Sequence, residues 1–489
     1  MLFNSVDFAI FLPIVFLLYW FVTNKNLKLQ NILLLVASYV FYGWWDWRFL
    51  SLIVFSSFVD YYVGLQLSKT DDDKKRKGLL WISMLVNLGF LGFFKYYNFF
   101  AESFADTFTL FGSHIDPTRL NIILPVGISF YTFQTMSYTI DVYKKKLEPT
   151  KDMIAFFTYV SFFPQLVAGP IERATNLLPQ FYKKRKFEYD KAADGMRQIL
   201  WGLFKKTVIA DNLSKYVELI FDNTSDVSSF TLIMGLALFS VQIYADFSGY
   251  SDIAIGTARL FGFNFQINFR YPLFARSIGE RWRNWHISLS TWFRDYIYIP
   301  MGGSRVNKWM KFRNLMILFT ISGFWHGANW TFISWGIVNG LFFAPSMLLK
   351  NNRKYLKPIS KKNILPSLKE LYHMFVTFWL ISFTYIFFRA NNIQHSKQYF
   401  LDMIHNINLP FFPLSLMNVY KIRTYDIPMM VLFILIMFAF EWFNRDKDYG
   451  LFFEKENKNL IFRWIVYLSL TIIIVLWAGN TENFIYFQF

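Results

Sequence analysis

The chain has 489 residues, of which 54% are hydrophobic, 21% aromatic and 17% charged, and its formal net charge is +17. Soluble domains of this length carry more charge and interrupt their apolar runs more often, so this composition excludes an ordinary soluble globular protein. The sequence contains no cysteine, which excludes disulfides, thiolate metal sites and a cysteine nucleophile.

Apolar runs long enough to cross a bilayer, which takes about 20 helical residues, recur along the chain. The clearest runs are residues 8–22, 32–45, 79–94, 371–388, 431–443 and 461–478. Residues 1–7 lack the basic region of a secretory signal peptide, and no small-residue cleavage site follows residue 22, so we expect the first run to be retained.

The positive charge is concentrated in short loops between apolar runs, such as residues 74–77, 144–146, 183–186, 350–369 and 445–458. An excess of Lys and Arg in short loops marks the cytoplasmic side of a membrane protein. We therefore interpret the charge as a topology signal and not as a nucleic-acid surface. The alternation of basic and less basic loops predicts that both termini lie outside.

Five crossings are predicted up to residue 142, after which the pattern changes. Residues 153–168 are apolar, but basic loops flank them on both sides, and Pro164 and Gly169 interrupt them. Irregular backbone at membrane depth is tolerated only inside protein or along a wet cavity. We expect a re-entrant segment here, with residues 162–173 as a candidate cavity wall.

The middle of the chain, residues 197–313, is the least regular. Residues 201–221 are amphipathic, and residues 231–244 resemble a span that Asp246 and Asp252 are expected to interrupt. Residues 270–313 mix charged and aromatic side chains, as short interfacial helices do. No internal repeat is evident. We predict one all-α domain, residues 1–489, with about ten to eleven transmembrane helices plus re-entrant and interfacial helices.

Six histidines are few enough to consider singly. We interpret His114, His395 and His405 as surface residues in loops, and His373 as an interfacial residue at the start of a span. No cluster of histidines and carboxylates has the spacing of a metal site, so no metal is predicted.

The other two histidines, His286 and His326, lie in unusual surroundings. His326 has Gly323 and Gly327 beside it and long apolar runs on both sides. An ionisable residue at membrane depth is costly and is therefore a functional candidate. His286 follows a cationic, aromatic run, RWRNW, at residues 281–285. From the pattern alone, a structural histidine hydrogen-bonded between helices remains an alternative for each.

Several motifs occur in order along the chain: DFSGYSDIAIG at residues 246–256, WHISLS at 285–290, YIPMGGS at 298–304 and FWHG at 324–327. These motifs resemble those of the bacterial membrane-bound O-acyltransferases, in the branch of the alginate and peptidoglycan O-acetyltransferase membrane subunits. Further matches occur at residues 125–134 and 163–171, so the resemblance spans essentially the whole chain. The catalytic motif region is about residues 121–349.

The resemblance implies an O-acyltransferase in the bacterial cytoplasmic membrane, with a central tunnel through which an acetyl group passes from cytoplasmic acetyl-CoA. The implied acceptor is an exported cell-surface polysaccharide, alginate-like or peptidoglycan, reached with a periplasmic or extracellular acetyltransferase partner. His326 matches the family's catalytic histidine, and His286 matches its second active-site histidine. No bound cofactor and no nucleic-acid partner are expected.

Supporting roles follow from residue type. Arg281 and Arg283 are candidates for holding the phosphates of CoA. Asp246 and Asp252 are candidates for orienting partners or lining the tunnel. Two further side chains, Ser288 and Asn329, are candidate donors to the oxyanion of the reaction.

Two alternatives stay open. In the related D-alanyl transfer branch, the donor is a carrier-protein thioester and the acceptor is teichoic acid. A transporter or channel would also have re-entrant segments and a buried histidine, although the absence of a repeat across the two halves of the sequence argues against it.

Overall fold

A computed structural model describes residues 1–112, 115–167, 169–357, 359, 365–411, 413–453, 460–479 and 484–485; His114 lies outside them. The regular structure of these residues is entirely helical, which confirms the predicted all-α class. Two compact units are formed, Met1–Ala193 with Thr257–Gln266, and Asp194–Gly256 with Ile267–Phe489. Each unit is described by itself.

The first unit contains nine α-helices within its described residues. They are α1 Val6–Leu17, α2 Leu27–Asp46, α3 Leu50–Leu67, α4 Asp73–Leu91, α5 Tyr97–Leu110, α6 Ile128–Tyr143, α7 Met153–Ser161, α8 Phe163–Leu166 and α9 Ala174–Phe181.

The remaining helices lie wholly or mainly in the second unit. They are α10 Tyr189–Leu203, α11 Asp211–Asp222, α12 Ser229–Leu260, α13 Ile278–Asn284, α14 Ile287–Phe293, α15 Lys308–His326, α16 Trp330–Leu348, α17 Leu368–Arg389, α18 Ile393–His405, α19 Leu414–Val419, α20 Asp426–Phe443 and α21 Leu460–Trp477.

Seven helical stretches of the described chain are long and apolar enough to cross a membrane. Two of them, Leu27–Leu67 and Asp73–Thr109, each contain two successive helices, and two shorter apolar helices occur at Val6–Val22 and Met153–Leu166. The seven stretches contain nine successive α-helices, and the total of ten to eleven transmembrane helices stays a prediction. The protein is a multi-pass membrane protein.

A buried carboxylate holds three helices of the first unit together. Asp60 on α3 accepts hydrogen bonds from Ser83 on α4, from Asn87 Nδ2 at 2.8 Å and from Thr139 on α6 at 3.0 Å. A buried polar group costs free energy unless it is hydrogen-bonded, so these donors compensate the burial of Asp60.

The helical break predicted near Pro164 is present in the first unit. Helix α7 ends at Ser161, Phe162 leaves helical geometry with ψ 111°, and the four-residue α8 follows. The Phe162 ring packs against Phe181 at 5.6 Å and Phe263 at 4.7 Å between centroids. The irregular backbone is thus enclosed by aromatic side chains of its own unit. A role of residues 162–173 as a cavity wall stays a prediction.

The expected interruption of the span at Asp246 and Asp252 is wrong, because α12 runs unbroken through both residues. Lys205 lies 2.7 Å from Asp252, and Lys206 lies 2.7 Å from Asp246. Both lysines are buried in a π-helical segment, Phe204–Ala210, between α10 and α11. Pairing with a buried cation compensates each carboxylate, so the helix need not end.

Glycines allow α15 and α16 to pack closely as an antiparallel pair in the second unit. A Cβ atom at Gly323 would collide with the carbonyl oxygen of Phe332, and one at Gly336 would collide with that of Phe319. Small residues at such contacts let helix backbones approach in membranes. This contact fixes the end of α15, where His326 lies.

Candidate active site

His326 is the last residue of α15 and is 3% exposed. The next residue, Gly327, adopts an extended conformation, so the chain turns away from the helix immediately after the imidazole. The rings of Trp325, Trp335 and Phe388 surround it edge-on, with centroids 5.0, 5.0 and 5.4 Å from the imidazole. The packing restricts the orientation of the ring.

His286 lies between α13 and α14 and is 1% exposed. Its backbone is left-handed, with φ 43° and ψ 56°, a conformation that costs a residue other than glycine about 1 kcal/mol. The Phe247 ring lies 4.6 Å from the imidazole centroid, and the Trp325 ring lies 6.0 Å from it. Because Trp325 also contacts His326, one indole ring adjoins both histidines.

The protonation state of His286 follows from its burial. The residue lies outside the apolar spans, and burial lowers the pKa of its imidazole to about 3. Burial disfavours the charged form of a histidine, so this side chain is neutral at physiological pH. A neutral imidazole has one N–H donor and one acceptor nitrogen.

Both histidines lie on the wall of one cavity of about 260 Å³ in the second unit. Most of its other lining side chains are apolar or aromatic, and its polar members include three arginines. The lining residues are Gly279, Trp282, Arg283, Trp285, His286, Leu289, Ser290, Phe293, Arg294, Leu315, Leu318, Phe319, Ser322, His326, Phe343, Asn352, Arg353 and Leu356. An apolar cavity with a few convergent polar groups is the usual form of a small-molecule site.

The cavity follows one face of α15. Its lining positions on this helix are separated by three or four residues, from Leu315 through Ser322 to His326, and so share a face. Eleven residue steps of α-helix correspond to about 16 Å. Asn352 and Arg353 line the cavity just beyond the end of α16, while His326 lies by the start of that antiparallel helix. The cavity therefore extends from a basic loop to His326.

The two arginines predicted to hold phosphates have different surroundings. Arg281 is buried, lies 4.1 Å above the Trp285 ring and donates to Tyr385 Oη at 3.1 Å; it is not among the cavity-lining residues. Arg283 does line the cavity, but its guanidinium donates to the carbonyl oxygens of Asn352 and, at 2.5 Å, Tyr355. These contacts tie the basic loop to α13.

Arg294 and Arg353 also line the cavity and are exposed, which makes them accessible cations. The sequence does not single out these two arginines, since Arg294 lies in a segment with many charges and Arg353 lies in a basic loop that indicates only topology. They line the cavity because segments far apart in the sequence pack together.

The four other predicted site residues are not in the cavity lining. Asp246 and Asp252 pair with the two buried lysines described above. The Ser288 hydroxyl donates to Asn268 Oδ1 at 2.9 Å. Asn329 caps α16, since its side chain accepts from the Thr331 N–H at 3.0 Å and donates to the Asn391 carbonyl at 2.9 Å.

Comparison with known proteins supplies the chemical class. The sequence model of MBOAT, the membrane-bound O-acyltransferase family, matches residues 148–388. A relative from Pseudomonas aeruginosa, named probable alginate O-acetylase AlgI, is 39% identical over 80% of this chain and 72% of its own length. The chain belongs to the membrane-bound O-acyltransferase family. It is an O-acyltransferase, and the family's matched region contains both cavity histidines.

Other relatives show the range of acceptors in the family. The peptidoglycan O-acetyltransferase of Helicobacter pylori is 35% identical over 83% of this chain and 80% of its own length. The teichoic acid D-alanyltransferase of Bacillus subtilis is 26% identical over 56% of this chain and 71% of its own length. The chain is thus more similar to O-acetyltransferases than to this D-alanyltransferase.

Proposed function

We propose that this membrane O-acyltransferase moves an acetyl group from cytoplasmic acetyl-CoA to a hydroxyl of an exported cell-surface polysaccharide, alginate-like or peptidoglycan. The observation that carries the proposal is the single cavity that holds both histidines and extends to a basic loop. The names of the two O-acetyltransferase relatives support the acyl group and the acceptor class.

The basic end of the cavity is the proposed entrance for the donor. Asn352 and Arg353 belong to the Lys- and Arg-rich loop between α16 and α17, and its positive charge supports a cytoplasmic position for this loop. Exposed Arg294 and Arg353 supply cations for the phosphates of acetyl-CoA, with the thioester arm directed along α15 toward His326. In this orientation the enzyme lies in the cytoplasmic membrane, with both termini outside.

The proposed reaction requires no group beyond the two substrates and the histidines. His326 accepts the proton of the acceptor hydroxyl on its unprotonated ring nitrogen as the oxygen attacks the thioester carbonyl carbon. The new C–O bond forms, the carbonyl oxygen becomes an oxyanion, and the N–H of neutral His286 is placed to stabilise it. When the C–S bond breaks, the leaving CoA thiolate takes the proton from His326.

The acceptor is a polymer outside the cell, whereas the cavity extends to the basic loop that is proposed to be cytoplasmic. We therefore retain the expectation of a periplasmic or extracellular acetyltransferase partner, which would supply the acceptor hydroxyl of this step and pass the acetyl group on to the polysaccharide. Deleting such a partner is expected to stop acetylation of the polymer. The rate at which the enzyme transfers acetyl groups from acetyl-CoA to an added small alcohol should not fall.

D-alanyl transfer from a carrier-protein thioester to teichoic acid is the second candidate, which the Bacillus subtilis relative supports. Inside-out membrane vesicles from cells with the polymer substrate can be given either radiolabelled acetyl-CoA or a D-alanyl carrier protein. The proposal predicts label in base-labile esters of the polysaccharide with acetyl-CoA only. Label that comes only from the D-alanyl carrier protein would overturn acetyl transfer and support D-alanyl transfer.

A further inference from the structure

The left-handed backbone at His286 is held by a segment that the reaction itself does not use. Asn268 is 1% exposed and is not among the residues that line the cavity. It precedes Phe269, whose ring lies parallel to the His286 imidazole at a 15° interplanar angle and 6.4 Å between centroids. The Phe269 side chain thus lies beside the His286 imidazole.

Asn268 contacts the two residues that follow His286. Its backbone carbonyl accepts a hydrogen bond from Ile287 N–H at 2.9 Å. Its side-chain Oδ1 accepts from the Ser288 hydroxyl at 2.9 Å and from Ser288 N–H at 3.3 Å. These N–H groups belong to the first turn of α14, where backbone donors have no partner within the helix. Asn268 therefore acts as a capping residue supplied from another part of the chain.

Two further hydrogen bonds extend this arrangement. Arg270 N–H donates to the carbonyl of Asn284 at 3.0 Å, on the other side of His286 in sequence. The amide Nδ2 of Asn268 donates to Ser251 Oγ on α12 at 3.0 Å. The loop that carries His286 is consequently tied at both ends to residues 268–270, and Asn268 is tied in turn to the long helix α12.

We propose that Asn268 is a positioning residue for the acyl-transfer reaction. It holds the start of α14, and this keeps the left-handed His286 in the conformation that directs its imidazole to the cavity. The inference rests on the proposed role of His286. An extended or right-handed backbone at residue 286 would redirect the side chain. A displacement of about 1 Å in a catalytic group can cost about 100-fold in rate.

The test is steady-state acetyl transfer from radiolabelled acetyl-CoA by the full-length enzyme in reconstituted membranes. Asn268→Ala removes the Oδ1 contacts to Ser288, and we expect it to lower kcat about 10–100-fold, because a catalytic group displaced by up to about 1 Å loses rate on this scale. We expect KM for acetyl-CoA to change less than about twofold, because the basic entrance is untouched. Asn268→Asp keeps an acceptor in place and should recover most of the lost kcat.

The matched control is Ser240→Ala, which removes another buried hydroxyl of α12, bonded to Ser382 instead of Asn268, and should leave kcat within about threefold of the wild type. In the double variant Asn268→Ala/His286→Ala, we expect kcat to be no lower than in His286→Ala alone, because both substitutions remove the same contribution of His286. Should Asn268→Ala fail to insert, Ser288→Ala still removes one Oδ1 contact. It should lower kcat a few-fold, and only when His286 is present.

Each contrary result has a distinct meaning. Wild-type kcat in Asn268→Ala, beside a large loss in His286→Ala, would overturn the positioning role and leave the proposed function intact. Equal losses in Asn268→Asp and Asn268→Ala, or losses that multiply in the double variant, would also overturn it. Full activity in His286→Ala would overturn the role of that histidine, and the positioning role with it.

Discussion

The two histidine segments of the cavity are held by different physical means. His326 ends a 19-residue helix whose position is fixed by glycine-mediated packing of α15 on α16. His286 lies in a short connection between two seven-residue helices and is held by hydrogen bonds from residues 268–270. Closely packed helices are displaced by an added methyl group. A hydrogen-bonded loop is displaced more by the loss of a polar partner. Different substitutions should therefore displace the two histidines.

Apart from the loss of His326 itself, the largest effect within this comparison is expected at His286. His286→Ala removes the N–H proposed to stabilise the oxyanion and should lower kcat by about 10²–10³-fold, the usual cost of losing one such donor. His373→Ala, which alters a histidine on α17 that is not in the cavity lining, is the control and should leave kcat unchanged. Equal kcat values for the two variants would place His286 outside the reaction.

The helix-packed histidine should be sensitive to a single methyl group. Gly323→Ala places a Cβ against the Phe332 carbonyl, and such overpacking destabilises proteins by about 1–3 kcal/mol and shifts backbone. We expect a lower thermal midpoint in detergent and a roughly tenfold lower kcat. Gly89→Ala on α4, where a Cβ would meet open space, is the matched control. If both variants keep wild-type stability and rate, close packing does not position His326.

A smaller effect is expected at the basic entrance, which both histidines share. Arg353→Ala removes an exposed cation from the cavity lining and should raise KM for acetyl-CoA about fivefold, equivalent to about 1 kcal/mol, with kcat unchanged. Arg305→Ala removes an exposed arginine that does not line the cavity and serves as the control. A lower kcat with an unchanged KM would argue against donor entry at this end.

The smallest effect on the rate is expected at Asn329, just beyond His326. Its side chain caps α16, so Asn329→Ala should cost about 1 kcal/mol of stability, and Asn329→Ser should restore the cap. We expect kcat to stay within about twofold of the wild type in both variants. A large loss of kcat in both would support the sequence-based expectation that Asn329 donates to the oxyanion.

Sequence alone predicts the features that depend on local pattern. Apolar runs predict the spans, Pro164 and its surroundings predict the break after α7, and the isolation of His326 among apolar residues marks it as a candidate. These signals are readable because the bilayer imposes a length and a charge asymmetry on the chain.

Other features depend on partners distant in sequence. Asp246 and Asp252 were expected to interrupt their span, but Lys205 and Lys206, some 40 residues earlier, compensate them. The left-handed backbone at His286 has only a weak sequence signal, since the glycine most typical of that conformation does not occupy the position. A single sequence could not distinguish Arg281, which stacks on an indole ring, from Arg353, which lines the cavity.

The most direct test of the central claim is transfer by His326→Ala in reconstituted membranes, measured as radiolabelled acetyl ester formed from acetyl-CoA. The wild type and the variant should be compared at equal amounts of inserted protein with equal thermal midpoints. The account predicts that ester formation is abolished, because the variant lacks the proposed base and the other cavity histidine, His286, is proposed to stabilise the oxyanion instead. Product acetylation retained at the wild-type rate would contradict it.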